Sequence, residues 1–94
     1  MIDGEHIEYY DSGEIKYKYN YLGGKLHGEF ITYYRSGLIS YKINYIDDKL
    51  HGEYIHYFIS GEISYKRNYI DGNVVTELEC IGYNRNLKLE LLGL

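Results

Sequence analysis

The feature that most constrains this chain is a unit of 24 residues that occurs three times in succession without a gap. The second copy begins at His27 and the third at His51, whereas the first copy begins with Asp3 in place of the histidine. A fixed period of this length is the signature of a repeat architecture, in which each unit packs against its neighbours. The fold is therefore predicted from one unit and its stacking. The units span residues 3–26, 27–50 and 51–74.

Each unit has a Ser-Gly pair near its middle, with alternating β-branched and aromatic residues on either side. Such alternation is typical of half-buried strands, so each unit is predicted to be a β-hairpin. A three-residue loop with glycine in the left-handed conformation joins the strands in this interpretation. A two-residue loop would shift the register by one and turn each isoleucine to the wrong face. The pairs are Ser12-Gly13, Ser36-Gly37 and Ser60-Gly61.

The three-residue loop also predicts which side chains lie opposite each other. It places Tyr9 opposite Ile15, and continued regularly it places Ile7 opposite Tyr17, which are stabilising aromatic/β-branched pairs. The equivalent predicted pairs are Tyr33/Ile39, Ile31/Tyr41, Tyr57/Ile63 and Ile55/Tyr65. On the other face we expect Glu8/Lys16, Thr32/Ser40, His56/Ser64, His6/Lys18, Phe30/Lys42 and Tyr54/Lys66. That second face is mixed and mostly polar.

Composition supports an all-β chain with many turns, since it has 14 tyrosines, 11 glycines and no proline. The predicted fold is an open, single-layer antiparallel sheet of stacked hairpins forming one domain, residues 1–94. After the third unit the repeat decays, and terminal repeats commonly diverge to cap an edge. We therefore expect residues 75–94 to form a capping hairpin, with a short helix at 87–92 as the alternative.

Charge and cysteine usage exclude several function classes. A net charge of −4 argues against nucleic acid as a partner, because phosphate neutralisation dominates that affinity. The single cysteine, Cys80, cannot form an intramolecular disulfide and is typical of a reducing compartment. The N-terminal residues lack the pattern of a secretory signal, and no apolar run approaches the roughly 20 residues of a membrane span. A cytoplasmic protein is expected.

No group of residues predicts an enzyme, a metal site or a cofactor. His27 and His51 occupy equivalent positions two strands apart, about 9.6 Å by strand spacing. Zinc ligands each lie about 2 Å from the metal, so two side chains at that separation on a rigid sheet would have to lean toward each other to hold one ion. The carboxylates of Glu5, Glu29 and Glu53 also recur once per unit, which favours a solvated structural position over acid/base chemistry.

The units follow the pattern G-E-x-I-x-Y-Y-x-S-G-x-I-x-Y-K-x-N-Y-x-x-G-K-L-H-G. This pattern resembles the MORN repeat, and in particular the bacterial variant type found in antitoxin-type proteins. The resemblance covers residues 3–74 and part of the tail, although the chain lacks tryptophan and has a 24-residue period. It implies an elongated, twisted antiparallel sheet of stacked hairpins used for protein–protein or membrane association.

The aromatic residues are the candidates for a partner-binding site. A single-layer sheet has no second layer to cover them, so they serve as core, as interface, or as both. Exposed apolar patches mark interaction surfaces, and tyrosine is enriched at binding hot spots. The candidates are Tyr33, Tyr41, Tyr57 and Tyr65 on the Ile/Tyr face and Tyr10, Phe30, Tyr34, Tyr54 and Phe58 on the other.

Three functional hypotheses follow. The first is a non-catalytic binding protein that holds another protein, such as a toxin or other effector, on its aromatic face or edge strand. The second is a peripheral membrane module in which Lys18, Lys42 and Lys66 meet anionic headgroups. An enzyme is the third and is disfavoured. Because the sheet face and edges are exposed, we also expect a homodimer, by face packing or through the N-terminal strand.

Overall fold

The computed structural model describes residues 3–79, which form eight β-strands in a single antiparallel sheet. The strands are β1 (Gly4–Tyr9), β2 (Ile15–Leu22), β3 (Lys25–Leu26), β4 (Gly28–Tyr33), β5 (Ile39–Ile46), β6 (Lys49–Tyr57), β7 (Ile63–Ile70) and β8 (Asn73–Glu79). Their spatial order is β1-β2-β4-β5-β6-β7-β8, and the short β3 pairs with β2. Apart from the short β3, which lies beside β2, each strand pairs with the next one along the chain, which confirms the predicted open sheet of stacked hairpins.

The Ser-Gly turns have the predicted three-residue loop. In the first unit the backbone N–H of Tyr10 donates to the carbonyl of Glu14 at 2.8 Å, and Gly13 N–H donates to Tyr10 at 2.9 Å. Gly13 has a φ of 102°, in the region that favours glycine. The second and third units repeat both bonds, with φ values of 94° at Gly37 and 96° at Gly61. The first strand pair beyond each loop is also as predicted: Tyr9/Ile15, Tyr33/Ile39 and Tyr57/Ile63.

One residue further along, a β-bulge overturns the rest of the predicted register. Tyr9 lies opposite Ile15 but Glu8 lies opposite Tyr17, so Lys16 is an extra residue in β2. Ile7 therefore lies opposite Lys18, and the predicted pair Ile7/Tyr17 is wrong. The same shift gives Ile31/Lys42 and Ile55/Lys66 in place of the predicted Ile31/Tyr41 and Ile55/Tyr65.

The bulge also replaces the pairs predicted for the other face. These positions now pair as Glu8/Tyr17, Thr32/Tyr41, His56/Tyr65, His6/Tyr19, Phe30/Ile43 and Tyr54/Arg67. One predicted contact survives, because the hydroxyls of Thr32 and Ser40 lie 2.5 Å apart. Ser40 is the extra residue of the second unit and only 8 % exposed, so this bond satisfies a buried hydroxyl.

The turns between consecutive hairpins are two residues long, with positive φ at both central positions. Examples are Gly23 and Gly24 at 63° and 78°, and Asp47 and Asp48 at 50° and 68°. This is the type I′ geometry, whose twist matches that of the flanking strands. Asp48 also ties its turn to the neighbouring unit, because its carboxylate accepts the N–H of Leu26 at 2.7 Å.

The sheet is one layer thick, with principal extents of 44 × 33 × 12 Å. Of the described hydrophobic side chains, only Ile31 and Ile55 are buried, at 7 % and 5 % exposure. Each lies between two lysines of the neighbouring strands, which are Lys18 and Lys42 for Ile31. Because lysine covers apolar surface with its aliphatic stem, these rows replace the second layer that a sandwich would have.

The start of the predicted cap lies among the described residues. Strand β8 begins at Asn73, pairs with β7 along its length and so extends the sheet beyond the third unit. The rest of the predicted cap, residues 80–94, lies outside the described residues, as does the alternative helix at 87–92.

Candidate protein-binding surface

The bulge in each hairpin separates the aromatic side chains from the isoleucines. In β2, Tyr17 and Tyr19 lie opposite Glu8 and His6, whereas Lys18 lies opposite Ile7 on the other side of the sheet. Directly opposed residues share a face, and successive residues alternate between faces. One surface of the sheet, which we term the aromatic face, is therefore lined by rings. Its aromatic members are His6, Tyr17, Tyr19, Tyr21, Phe30, Tyr41, Tyr45, Tyr54, His56, Tyr65 and Tyr69.

In the first half of the aromatic face the rings stack in parallel. Tyr19 lies between His6 and Phe30, with ring centroids 5.4 Å and 5.3 Å away and interplanar angles of 11° and 15°. Tyr17 stacks on the same phenylalanine at 6.0 Å, and Tyr45 meets it edge-on at 6.1 Å. Phe30 belongs to the second unit and Tyr19 to the first, so these contacts join neighbouring units.

A second group of rings continues the aromatic face into the third unit. His56 lies 4.6 Å from the Tyr41 ring and 5.3 Å from the Tyr65 ring. Tyr54 stacks on Tyr65 at 6.2 Å, and the guanidinium of Arg67 lies over that tyrosine at 4.5 Å. A cation over a tyrosine face is a favourable arrangement at binding surfaces.

The rings of the aromatic face are half-buried by one another. Burial raises the pKa of the Tyr45 hydroxyl, and a hydrogen bond with Tyr65 raises that of Tyr41. These groups are neutral at physiological pH, so the surface is apolar with hydrogen-bonding hydroxyls at its top.

The opposite surface carries paired charges, and we term it the ionic face. The Lys42 ammonium lies 3.3 Å from the Glu29 carboxylate, and Lys66 lies 2.7 Å from Glu53. The pKa of Lys42 is raised by its hydrogen bond to Glu29 and by the attraction between the two charges. The ionic face also carries the isoleucines of the first strands. Its central members are Ile7, Lys18, Ile31, Lys42, Ile55 and Lys66.

Comparison with known families identifies the repeat. The family model of the MORN repeat variant matches three consecutive segments, residues 2–22, 26–47 and 50–71. The chain is a MORN-repeat protein. Among curated proteins and among solved structures no significant match was found. MORN repeats are non-enzymatic repeats that serve in general as protein- or membrane-binding modules.

The MORN-repeat architecture brings together four of the nine predicted site residues. Phe30, Tyr41, Tyr54 and Tyr65 were predicted on two different faces, and the structure places them all on the aromatic face. The reason is the bulge, which turns the tyrosines of the second strands away from the isoleucines. By the same alternation, Tyr33 and Tyr57 lie on the ionic face, two residues beyond Ile31 and Ile55.

Tyr10 and Tyr34 join neighbouring MORN units. The Tyr10 hydroxyl donates to the carbonyl of Tyr33 at 2.6 Å, and the Tyr34 hydroxyl donates to the carbonyl of Tyr57 at the same distance. The guanidinium of Arg35 also covers the Tyr10 ring at 4.5 Å. These two tyrosines therefore have a structural role at the hairpin tips.

Phe58 occupies the equivalent tip position in the third MORN unit, where it is 42 % exposed. Its ring meets that of His56 on the aromatic face edge-on, with ring centroids 6.4 Å apart. Leu38 and Ile59 are also exposed and replace charged residues of the other units. Gly37, Leu38, Ile39, Tyr57 and Gly61 line an open groove of about 270 Å³. Phe58 therefore adjoins the aromatic face at the tip of the third unit.

The candidates named from the sequence omit seven of the eleven aromatic members of this face. They are His6, Tyr17, Tyr19, Tyr21, Tyr45, His56 and Tyr69. Tyr19 is replaced by Ile43 and Arg67 in the other units, so the repeat pattern gives no signal for it. Among the described residues no three His, Cys, Asp or Glu side chains are grouped to hold a metal ion. No helix in this part of the chain has the length and apolar character to cross a membrane.

Proposed function

We propose that this MORN-repeat protein is a non-catalytic module that holds a partner protein on its aromatic face. The observation that carries the proposal is the separation of the two surfaces, with stacked rings on one and paired charges on the other. Tyrosine and arginine are the residues that contribute most often to binding hot spots, and this face contains both. Hydroxyl groups above an apolar layer suit the mixed polar and apolar surface of a protein.

Rigidity adds to this proposal. Each ring is held by its neighbours, as Tyr19 is by His6 and Phe30, so little side-chain entropy is lost when a partner covers it. Pre-ordered aromatic side chains bind more tightly for the same contact area because this cost is reduced. The partner is a protein with a complementary apolar patch of several residues.

The ion pairs argue against the membrane alternative. Lys42 and Lys66 were the proposed contacts to anionic headgroups, and each is already engaged by a carboxylate of its own unit. Each free lysine near an anionic surface contributes about 1 kcal/mol, and pairing with glutamate offsets that attraction. The net charge of −4 opposes binding further. We expect no flotation of the protein with anionic vesicles.

The finer role anticipated from the resemblance is sequestration of a toxin or another effector. This role adds a requirement that the partner be inactivated when it is bound. After a partner has been identified, its activity is assayed with and without a molar excess of this protein, which tests the sequestration role.

Affinity capture from the native host followed by mass spectrometry tests the binding surface, when the parent is compared with two variants. Tyr54→Ala removes a ring from the centre of the aromatic face, and Tyr9→Ala removes a 58 % exposed ring outside it. The proposal predicts that Tyr54→Ala weakens capture about tenfold or more while Tyr9→Ala retains it. Circular dichroism and thermal melting confirm that both variants are folded. Equal capture by both folded variants contradicts the proposal.

A further inference from the structure

The outer edge of strand β1 has no strand partner among residues 3–79. β1 stands at the end of the sheet order and pairs only with β2 in this part of the chain. Tyr10 directs its N–H inward to Glu14, and the extra residue of the bulge lies in β2. The alternation along β1 is therefore uninterrupted. It directs the backbone groups of Glu5, Ile7 and Tyr9 outward.

The other units show independently that these positions face the neighbouring hairpin. Tyr33 is equivalent to Tyr9, and its carbonyl accepts the hydroxyl of Tyr10 from the preceding unit. Ile31 is equivalent to Ile7, and it pairs with Lys18 of the preceding unit. An exposed row of backbone donors and acceptors is a template for another strand.

We infer that a second copy of this chain pairs with that edge, β1 against β1, with Ile7 of one copy opposite Ile7 of the other. In this antiparallel register Glu5 of each copy lies opposite Tyr9 of its partner copy. The three outward residues are then the ones that form hydrogen-bonded pairs, and each pair exchanges both of its N–H···O=C bonds. The arrangement has a two-fold axis, which is the commonest symmetry of homo-oligomers.

The side chains of β1 complement each other in this register. On the aromatic face His6 of one copy lies opposite Glu8 of the other, and the two-fold axis produces this contact twice. Glu8 is exposed and supplies an acceptor or a negative charge to the imidazole. On the ionic face the two Ile7 side chains meet. Ile7 has a lysine on one side only, whereas Ile31 and Ile55 have one on each side. In the dimer, Ile7 of the second copy covers the side that has no lysine.

Two neighbouring registers each fail on one of these points. A shift of one residue places the aromatic face of one copy beside the ionic face of the other. A shift of two toward the N-terminus of the strand places His6 opposite His6 and leaves Tyr9 beyond the paired segment. In the inferred register both aromatic faces lie on the same side of one continuous sheet. The inference is independent of the proposed function, since it depends on the edge of the sheet alone.

Light scattering at micromolar concentration tests the dimer, with Ile7→Pro and Ile7→Val as a matched pair. Proline removes the outward N–H of residue 7 without removing a bond to β2, and proline is tolerated on such edges. Valine keeps the N–H and most of the side chain. We expect twice the 11.1 kDa chain mass for the parent and for Ile7→Val, and the single mass for Ile7→Pro. A monomeric parent, or a dimeric Ile7→Pro variant, overturns the inference.

Disulfide cross-linking tests the register, in a Cys80→Ser background that removes the natural thiol. Residues 6 and 8 of opposite copies form a non-hydrogen-bonded pair, whose Cα atoms lie about 4.5 Å apart, within disulfide range. A mixture of the His6→Cys and Glu8→Cys proteins is expected to form covalent dimers on mild oxidation. Each protein alone is expected to form at most a small fraction of that amount. Efficient cross-linking of His6→Cys alone, or none in the mixture, overturns the register.

Discussion

The hydroxyl of Tyr34 donates a hydrogen bond to the carbonyl oxygen of Tyr57, 2.6 Å away in the next unit. It ties the tip of one hairpin to the first strand of the following hairpin, and Tyr10 makes the same bond one unit earlier. A single-layer sheet with few buried side chains depends on such links between units. In a repeat protein the stability of these interfaces sets the stability of the whole array.

Removal of this link is the first prediction. Tyr34→Phe keeps the ring and deletes the hydroxyl, leaving the Tyr57 carbonyl with one partner fewer. We expect the free energy of unfolding to fall by about 1 kcal/mol, the usual net value of a hydrogen bond. Tyr9→Phe is the matched control, because the Tyr9 side chain is 58 % exposed. Urea denaturation measures both, and equal stability of the two variants contradicts the structural role of Tyr34.

The second prediction concerns the central Ser-Gly turn. Gly37 has a φ of 94° and no atom within 4 Å of an added Cβ, so a substitution meets backbone strain without a steric clash. Gly37→Val should destabilise the protein by about 1–3 kcal/mol, because β-branched residues avoid positive φ. Gly37→Asn should cost less, since asparagine tolerates this region better. Thermal melting of both variants checks the order, and a Val variant that melts like the parent contradicts it.

The third prediction separates strain from crowding at two equivalent glycines. Gly28 and Gly52 have φ values of 94° and 96°, but only at Gly52 would an added Cβ lie 3.3 Å from Asn44 Nδ2. Gly52→Ala should therefore cost roughly 1 kcal/mol more than Gly28→Ala. Denaturation midpoints of the two variants measure the difference. If Gly28→Ala proves the more destabilising, crowding against Asn44 does not determine the cost of the substitution at Gly52.

The fourth prediction is a loss of stability at alkaline pH. Burial raises the pKa of Tyr45 and of Tyr54 above the ordinary value of 10.0, because the folded sheet disfavours the phenolate. A group whose pKa is higher in the folded state than in the unfolded state contributes its full stabilisation at pH values below the unfolded-state pKa. That contribution is lost as pH rises from 10.0 through the folded value. The pairing of Lys42 with Glu29 acts in the same direction.

Urea unfolding at increasing pH, together with the absorbance of tyrosinate, measures this loss. Tyr45→Phe removes one of the responsible hydroxyls and should flatten the decline above pH 10.0. Tyr9→Phe is the control, because it alters an exposed tyrosine. We expect the stability of this variant to depend on pH as that of the parent does. Stability that stays constant or increases through this range contradicts the assignment.

The sequence by itself determined the repeat, the hairpins and the turns between their strands. These features are local, since the conformation of Gly13, Gly37 and Gly61 and the alternation of side chains depend on residues close in the chain. The first strand pair after each turn, such as Tyr9/Ile15, follows from the loop length alone. For the same reason the open single-layer sheet could be predicted from one unit.

Only the tertiary structure decided which side chains share a face. The bulge at Lys16, Ser40 and Ser64 has no common residue type and therefore no sequence signal. Its effect is realised between units, where Tyr17 stacks on Phe30 and Ile31 is enclosed by Lys18 and Lys42. Within one hairpin, the regular register pairs tyrosine with isoleucine equally well. Packing against neighbouring strands stabilises the shifted register, which places the rings of successive units together on the aromatic face.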